Sequence, residues 1–531
     1  MSVRVARLAL CTIAAIITAA FSVRDPRHGR HEAAPSGYGP PALRDRIRAY
    51  RVAHEGSIVR ELAELVAIPN VARDSAGIRR NVAHLSTMLE RRGFQVRELA
   101  AEGGSPPLLA ELRVPGARRT IVVYAHYDGQ PVDPAAWATP PWTPVLRDAS
   151  LEEGGRERPL PTDSGARVGG EWRLYGRSAS DDKAPIVALL TAVDALRAQR
   201  IPLTVNLALF LDGEEEAGSP HLNQVLAANA DLLRADLWLF ADGPVHQSRR
   251  PQVVFGARGV MGLELTLYGP LRPLHSGHYG NWAPNPATEL AHLLSGMRDD
   301  DGRVLIDGFY DDVTPVSAAD RAALHDAPQV DDSLRRALGI ARSEGNDAPL
   351  AERIMLPALN VRGISAGRVG NAAANAIPTE ATASIDFRLV PAQRPERVRA
   401  LVEEHLRRHR YWVVHDSADS ATRASHARVV RLQWEAGYRA VRTPLDLPVS
   451  RAIMRIVGDV SERPPVTVPL LGGSLPLASF EDALHVPVIV LPIVNHDNNQ
   501  HAANENVRMQ NVWDGIELFG AVLARLGTEW P

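Results

Sequence analysis

Apolar positions along the chain follow two different periods, and their alternation predicts a mixed α/β fold. Apolar residues at every third or fourth position are typical of helices, and short continuous apolar runs are typical of strands buried on both faces. The predicted helices are 42–65, 76–92, 184–198 and 219–229. The predicted strands are 95–99, 108–113, 120–125, 203–211 and 237–241. This order of helices and strands indicates an α/β domain with a mostly parallel sheet and helices on both sides.

The pattern changes near residue 253, which predicts a second, smaller α+β domain at about 253–442. Its predicted elements are a half-exposed strand from 253, a helix at 287–297, a strand at 381–389 and a helix at 395–408. The chain then returns to the first pattern, so we assign 42–252 and 443–531 to one domain. The elements predicted there are a helix at 450–457 with Ser450 as its N-cap, a strand at 487–494 and a helix at 512–526. A polar, Gly-rich stretch at 148–170 predicts a surface loop.

The N-terminus has the pattern of a cleavable secretory signal over 1–21. Arg4 and Arg7 precede an apolar run at 8–21, and residues 18–20 are small. The run is short for a transmembrane helix, which needs about 20 residues. We therefore expect a secreted or periplasmic protein with no stable membrane span after cleavage, and an uncleaved anchor is the alternative. Residues 22–41 are polar and rich in Pro and Gly, which predicts a disordered leader.

Composition narrows the classes of function. A length of 531 residues exceeds one typical core and predicts two domains. The 59 basic and 62 acidic residues nearly balance, so no nucleic-acid partner is indicated. Cys11 is the single cysteine, which excludes internal disulfides. A metal in the folded body would therefore be bound by histidines and carboxylates.

Two adjacent aspartates, Asp181 and Asp182, precede the only lysine of the chain, Lys183. An N-cap uses one side-chain acceptor, so a second carboxylate beside it indicates a metal. All other basic residues are arginines, and a compact ammonium does not replace a guanidinium. The alternative is a lysine that remains by chance on a surface helix.

Further candidate ligands follow predicted strands, at the strand ends where ligand sites of open α/β sheets lie. They are His126 and Asp128, Glu214 to Glu216, Asp242, and His501 with His496 as a rival. Asp128 is placed to accept a hydrogen bond from the other ring nitrogen of a ligating His126. Taken singly, these residues also fit ordinary loop turns or an acidic helix N-terminus.

The motifs A-H-Y-D, S-D-D-K, D-G-E-E-E-A-G-S and N-Q-H-A-A-N-E occur in this order, and they resemble those of the M20 metallopeptidases. The resemblance covers about 43–527 and implies two Zn²⁺ ions per chain, with Mn²⁺ or Co²⁺ as alternatives. It implies that Asp181 bridges the metals, that His126 and Asp242 complete one site, and that Glu216 and His501 complete the other. Glu215 would be the general base that takes a proton from a water activated by the metal pair. The smaller domain would be an inserted lid with a ferredoxin-like sheet, and the Asp181–Asp182 peptide would be cis.

The resemblance also implies substrate-binding residues and a homodimer formed through the lid. His275 matches a histidine that reaches the partner subunit's site and polarises the substrate carbonyl. His278 is its local rival, and a plain loop histidine is the alternative. The guanidinium of Arg388 suits a substrate carboxylate. The remaining candidates are Asn375, Gly472, Gly473 and Ser474.

Departures from the family pattern bear on the substrate. Leu470 and Leu471 stand where members that bind a free substrate amine often have Arg-Glu, and Ser178 and Ala184 replace glycines. The expected function is cleavage of an amide bond in small peptides, as a dipeptidase or carboxypeptidase. An N-acyl-amino-acid deacylase of the same fold is one alternative. A metal-free binding ectodomain is another, which the presence of all five candidate ligands disfavours.

Overall fold

The computed structural model describes residues 40–530. The predicted signal at 1–21 and the predicted leader up to residue 39 lie outside the described residues. The first helix begins at Pro40, two residues before the predicted start. Among the helices of 40–530, none combines the length and the apolar character that crossing a bilayer requires.

An eight-stranded sheet forms the centre of the larger domain. Four of its seven neighbouring strand pairs are parallel, and three are antiparallel. The parallel pairs include all those at the centre, which therefore has the architecture expected from the sequence. In spatial order the strands are Gln95–Glu98, Leu108–Leu112, Asn206–Asp212, Thr120–His126, Leu237–Phe240, Val488–Val490, Gln252–Val254 and Val466–Val468.

Helices cover both faces of this sheet. The helix Lys183–Ala198 is buried along most of its length, as expected for a helix that is apolar on nearly every side. Gly520 lets the last helix approach the first closely, because a Cβ there would lie 2.7 Å from Ile47 Cδ1. Trp238 and Phe480 pack together on the opposite face. The helices of this domain are Pro40–Val66, Ser75–Glu90, Lys183–Ala198, Leu222–Ala228, Pro448–Val460, Leu477–Leu484 and Met509–Glu529, with short 3₁₀ turns at Pro134–Ala136 and Glu215–Ala217.

The stretch 148–170 is ordered against the body of the larger domain. Its strand Glu157–Arg158 is the edge of a small antiparallel sheet whose other strands are Val145–Arg147, Arg173–Tyr175 and Asn506–Arg508. Its end contacts the first helix, where Gly56 N donates to Ser164 O at 2.9 Å. The predicted surface loop therefore lies against that helix.

The smaller domain is built on a five-stranded sheet, which confirms the predicted α+β lid. Its strands in spatial order are Ala358–Ser365, Glu380–Leu389, Gly259–Tyr268, Val429–Trp434 and Trp412–Val414. Only the last pair is parallel. The helices Pro286–Met297 and Pro395–Arg408 bury Leu290 and Val402 against the sheet. The domain also contains the helices Ser276–Tyr279, Ala318–Asp326, Asp331–Leu338, Leu350–Ile354 and Ser420–Ser425, the 3₁₀ turn Gly370–Ala372, and the paired strands Leu274–His275 and Ala376–Ile377.

The chain passes between the two large sheets through the paired strands Gly256–Ala257 and Val441–Arg442. The exact domain boundaries at 253 and 442 stay a prediction. The prediction of Ser450 as an N-cap is wrong, because the helix Pro448–Val460 begins earlier, after Leu447. Ser450 lies buried inside this helix, and its hydroxyl donates to Pro444 O at 2.7 Å.

Candidate metal centre

Four loops bring histidines and carboxylates together at one edge of the large sheet. Three of the loops follow the parallel strands Thr120–His126, Asn206–Asp212 and Leu237–Phe240, whose carboxyl ends meet there. The fourth loop, which carries His501, follows the strand Val488–Val490. Asp181 joins them from the segment that leads into the helix Lys183–Ala198.

Asp181 faces two histidines, one with each of its carboxylate oxygens. Its Oδ1 lies 2.8 Å from His126 Nε2, and its Oδ2 lies 3.2 Å from His501 Nε2. The Asp181–Asp182 peptide bond is cis, as the family resemblance implies. A carboxylate that reaches one histidine on each side has the placement of a group shared between two ligand sets.

Ligand atoms of His126, Asp181 and Glu216 lie within 4.8 Å of one another, and His501 adjoins this group. His501 Nε2 lies 3.2 Å from Glu216 Oε2. On the other side, single ligand atoms of His126, Asp182 and Asp242 lie within 4.8 Å of one another. The five predicted ligands are thus brought together. Asp182, which the sequence left without a role, lies among them.

Asp128 holds the turn that carries the two central glutamates. Its carboxylate oxygens accept from Glu215 N at 3.0 Å and from Glu216 N at 3.1 Å. Its Oδ1 also lies 3.4 Å from His126 Nδ1. Asp128 therefore orients both a candidate ligand and the candidate base, beyond the contact with His126 that the sequence suggested.

Burial disfavours the negative charges of the closely spaced carboxylates in this site. It raises the pKa of Asp242 to about 7, and the charge of Asp181 acts in the same direction. Burial also raises the pKa of Glu215 well above its usual range, and Asp242 adds to that effect. Hydrogen bonds to Asp181 and Glu216 raise the pKa of His501 to about 10. Bound cations would relieve this repulsion between carboxylates.

The donor set fits divalent cations such as zinc. It contains imidazole nitrogens and carboxylate oxygens without a thiol, which suits Zn²⁺. Asp182 Oδ1 is buried and has no hydrogen-bond partner among the described residues. A buried carboxylate oxygen without a partner is costly in a protein that lacks a cation beside it.

Arg388 and Ser474 meet across the two domains. Arg388 Nη1 donates to Ser474 Oγ at 2.9 Å, and its Nε donates to Asp386 Oδ2 at 2.9 Å. Arg258, which the sequence analysis did not single out, donates from Nε to Gly472 O at 3.0 Å. Burial, together with the charge of Arg388, lowers the pKa of Arg258 to about 10. The exposed Gly473 follows in the same loop. The guanidinium groups of Arg388 and Arg258 give a positive charge to this side of the cleft between the two domains.

His275 and Asn375 lie together on the lid, apart from the metal ligands of their own chain. Ser276 N donates to Asn375 O at 2.9 Å, and Gly277 N donates to His275 Nδ1 at 3.1 Å. Both side chains are exposed. Within residues 40–530, no hydrogen bond or ion pair joins either residue to the cluster around Asp181. His278, the rival histidine, lies beside His275 with ring centroids 4.6 Å apart.

Several residues that shape the site were not found from the sequence. Gln130 Nε2 donates to Glu216 Oε2 at 2.7 Å, and Gln500 Nε2 donates to Asp181 Oδ2 at 3.3 Å. Glu505 accepts hydrogen bonds from the segment around Asp181. Gln130 follows A-H-Y-D closely, and the other two lie within N-Q-H-A-A-N-E. Their position inside these motifs was the available signal.

Comparison with known proteins finds relatives that are metallopeptidases. Residues 255–413 match the peptidase dimerisation domain of the M20 family. The Cys-Gly metallodipeptidase dug1 of Schizosaccharomyces pombe is 26% identical over 497 residues, which cover 89% of this chain and 96% of that protein. The human beta-Ala-His dipeptidase is 27% identical over 91% of this chain and 92% of its own.

A solved structure has the same overall fold. The M20 family metallo-carboxypeptidase Sso-CP2 from Sulfolobus solfataricus superposes with a TM-score of 0.72 at 27% identity, covering 89% of this chain and 99% of that one. The fold and the ligand cluster define a metallopeptidase with a catalytic domain and a lid. Over most of its length the chain is therefore similar to M20 metallopeptidases, and residues 255–413 match the dimerisation domain of that family.

Proposed function

We propose that this M20 peptide hydrolase is a dizinc dipeptidase or carboxypeptidase that acts on small peptides. The observation that carries the proposal is the placement of Asp181, whose two oxygens face His126 and His501 at 2.8 and 3.2 Å. His126 and Asp242 would hold one zinc ion, Glu216 and His501 the other, and Asp181 would be shared. The named relatives, which act on Cys-Gly and beta-Ala-His dipeptides, support the substrate class.

The chemistry requires a base, and Glu215 is the best candidate. When bound by these residues, a zinc pair would supply polarisation of the scissile carbonyl and a lower pKa of the attacking water. Glu215 takes the proton of that water and returns it to the nitrogen of the broken amide bond. Asp128 fixes the backbone of Glu215 through the amide hydrogen bond of 3.0 Å. Within residues 40–530, no hydrogen bond occupies the Glu215 carboxylate, which leaves it available for proton transfer.

The positive side of the cleft would bind the substrate's carboxylate. Arg388 donates from Nε to Asp386 and from Nη1 to Ser474. Its Nη2 is therefore available for a ligand. Burial lowers the pKa of Arg258, and the nearby charge of Arg388 adds to this effect. Two guanidinium groups with one nearby acid, Asp386, suit a substrate that brings one negative charge.

The proposed active unit is a homodimer formed through the lid. The dimerisation-domain match at 255–413 supports this arrangement. His275 and Asn375 are exposed on the lid and lack contacts with their own cluster, as expected if they complete the site of the other subunit. The proposed location is secreted or periplasmic, and it rests on the sequence at 1–21 alone.

One observation favours a second candidate function, an N-acyl-amino-acid deacylase. Leu470 is buried, and Leu471 packs against the apolar cluster that contains Phe480. Neither residue offers an acid to a substrate's free amine. A substrate with a neutral acyl group at this end would need no such acid.

A substrate panel tests both candidates. It contains free dipeptides, dipeptides amidated at the C-terminus and N-acetyl amino acids, each assayed before chelation, after chelation and after zinc is restored. We expect zinc-dependent release of amino acids from free dipeptides and little from the amides. Release from N-acetyl amino acids alone would favour the deacylase, and no release from any substrate by zinc-loaded protein would contradict both.

A further inference from the structure

One buried carboxylate outside the proposed ligand set gathers the chain on both sides of Asp181. Glu505 has no exposed surface, and its two oxygens accept five hydrogen bonds. Oε1 accepts from Ser180 N at 3.0 Å, from Ser180 Oγ at 2.8 Å and from Asp181 N at 2.9 Å. Oε2 accepts from Arg177 Nη1 at 2.7 Å and from Ser178 N at 2.9 Å.

These contacts leave Glu505 no capacity to act as a ligand or as a base itself. An ionised carboxylate has about four lone-pair sites, and here five donors surround it. Its contact with the centre is instead through the backbone of Asp181. The amide that it holds belongs to the residue whose side chain faces both histidines.

Glu505 also ties two segments of the chain together. It lies four residues after His501, in the loop that precedes the strand Asn506–Arg508. Arg177 reinforces the tie, because its Nη2 donates to Ala502 O at 3.1 Å. The segments 177–181 and 501–505 are therefore joined on both sides of the contact between Asp181 and His501.

The two proposed metal positions depend to different degrees on the contacts that join the segments 177–181 and 501–505. His126 ends a paired strand, and Asp242 lies two residues beyond another. His501 lies in a loop, has a φ of 61° and a side chain that is 55% exposed. The sheet fixes the first pair of ligands, whereas the 177–181 to 501–505 junction fixes His501.

We propose that Glu505 is a positioning residue for the metal ion held by Asp181, Glu216 and His501. The proposal rests on the zinc pair of the proposed function. In this role Glu505 fixes the distance between Asp181 and His501, because both side chains must bind the same ion. Outer partners of metal ligands typically change metal affinity by about 10–100-fold.

The test compares Glu505→Gln with a matched control, Glu55→Gln. Glu55 is also a buried carboxylate, 1% exposed, and it accepts from Arg51, Arg167 Nε and Val168 N. Arg51 lies in the same helix as Glu55, and Arg167 and Val168 lie in the stretch 148–170, so the control makes the same chemical change away from the metal ligands. Zinc binding to the metal-free proteins is measured by competition with a chromophoric chelator, and folding is checked by thermal unfolding.

We expect the unmodified protein and Glu55→Gln to bind two zinc ions per chain. We expect Glu505→Gln to bind the ion at His501 about 10–100-fold more weakly and the other ion, which shares Asp181, with a clearly smaller change. Binding of both ions by Glu505→Gln with unchanged affinity would overturn the role of Glu505 while leaving the zinc pair intact. Equal weakening of both ions would also overturn it, because the role is specific to one site. Binding of fewer than two ions by the unmodified protein would contradict the proposed zinc pair, and the proposed role of Glu505 would be contradicted with it.

A milder variant keeps the test decisive if Glu505→Gln does not fold. Ser180→Ala removes one of the five hydrogen bonds and leaves the carboxylate in place. We expect it to weaken mainly the zinc ion at His501, by a smaller factor than Glu505→Gln does. Unchanged binding of both ions by a folded Ser180→Ala, together with unfolded Glu505→Gln, would overturn the positioning role in favour of a purely structural one.

Discussion

Glu214 and Glu215 are neighbours in the chain, but they lie in different surroundings. The carboxylate of Glu214 accepts from His221 N at 2.9 Å and from Ser105 N at 3.3 Å, so it is used in holding the loop. Glu215 lies among the acids around Asp181, and those acids with burial raise its pKa. Glu214 therefore has a structural role, and Glu215 is the residue that we propose as the base.

We predict that Glu215→Gln lowers kcat by about 10²–10⁴-fold while both metals remain bound, because general-base catalysis contributes a factor of that size. Glu214→Gln is the control, and it should keep kcat within a few-fold. Dipeptide turnover and zinc content are measured on the same samples. A parallel loss of zinc and activity in Glu215→Gln would make Glu215 a ligand.

We predict that Arg388→Met raises KM for free dipeptides by about 10–100-fold, because a charge-assisted hydrogen bond is worth about 1.5–3 kcal/mol. The KM for a C-terminally amidated dipeptide should change little, since that substrate lacks the carboxylate. Arg362→Met, which removes a lid arginine paired with Glu435, is the control. Equal losses on both substrates would mean that Arg388 does not recognise the carboxylate.

At the residue scale, the sequence identified groups that follow strands and missed groups defined by tertiary contacts. His126, Glu216 and Asp242 were found because each follows an apolar run, where α/β sheets place ligands. Glu505 was not, because its five donors come from residues more than 300 positions away in the chain. Hydrogen bonds of that separation leave no periodic pattern.

At the scale of elements, the loops after the strands are packed tightly against one another. A Cβ on Gly129 would lie 2.3 Å from Ser178 Oγ. Ser178 has a φ of 64°, a left-handed conformation, and its hydroxyl accepts from Asn70 Nδ2 at 2.9 Å. The family glycine at position 178 is thus replaced by a serine that uses the space above Gly129.

We predict that Gly129→Ala lowers the midpoint of thermal unfolding, because overpacking costs about 1–3 kcal/mol. Adding Ser178→Gly should recover part of the loss, since it removes the clashing oxygen. The two changes are coupled through one contact, so their effects should not add. A double variant as unstable as the sum of the single variants would contradict this packing.

Most elements were predictable because their apolar period is long and regular. The helix Pro395–Arg408 was predicted with the same limits, and the helix Lys183–Ala198 within one residue. The prediction of Ser450 as an N-cap was wrong, although Ser favours helix N-termini in general. Pro448 begins this helix, and Ser450 is buried in its first turn. The antiparallel pairs of the large sheet were also not predicted, since strand direction depends on pairing between distant segments.

At the scale of the whole molecule, the exposed His275 predicts that activity requires two subunits. Glu215→Gln and His275→Ala should each be inactive alone. In coexpressed mixed dimers, one site would combine an intact Glu215 with the partner's His275. Equal amounts should therefore restore about a quarter of the unmodified activity, from one working site in half of the dimers. Inactive mixtures that contain mixed dimers would contradict a shared site.

The central claim at this scale is that the ligands gathered around Asp181 give the chain a metal-dependent peptidase activity. Stepwise return of zinc to the metal-free protein, with dipeptide hydrolysis followed at each step, tests that claim most directly. We expect no hydrolysis without zinc and a rise in hydrolysis that levels off at two zinc ions per chain. Undiminished hydrolysis by fully chelated protein, or a fully zinc-loaded protein that cleaves no peptide, would contradict it.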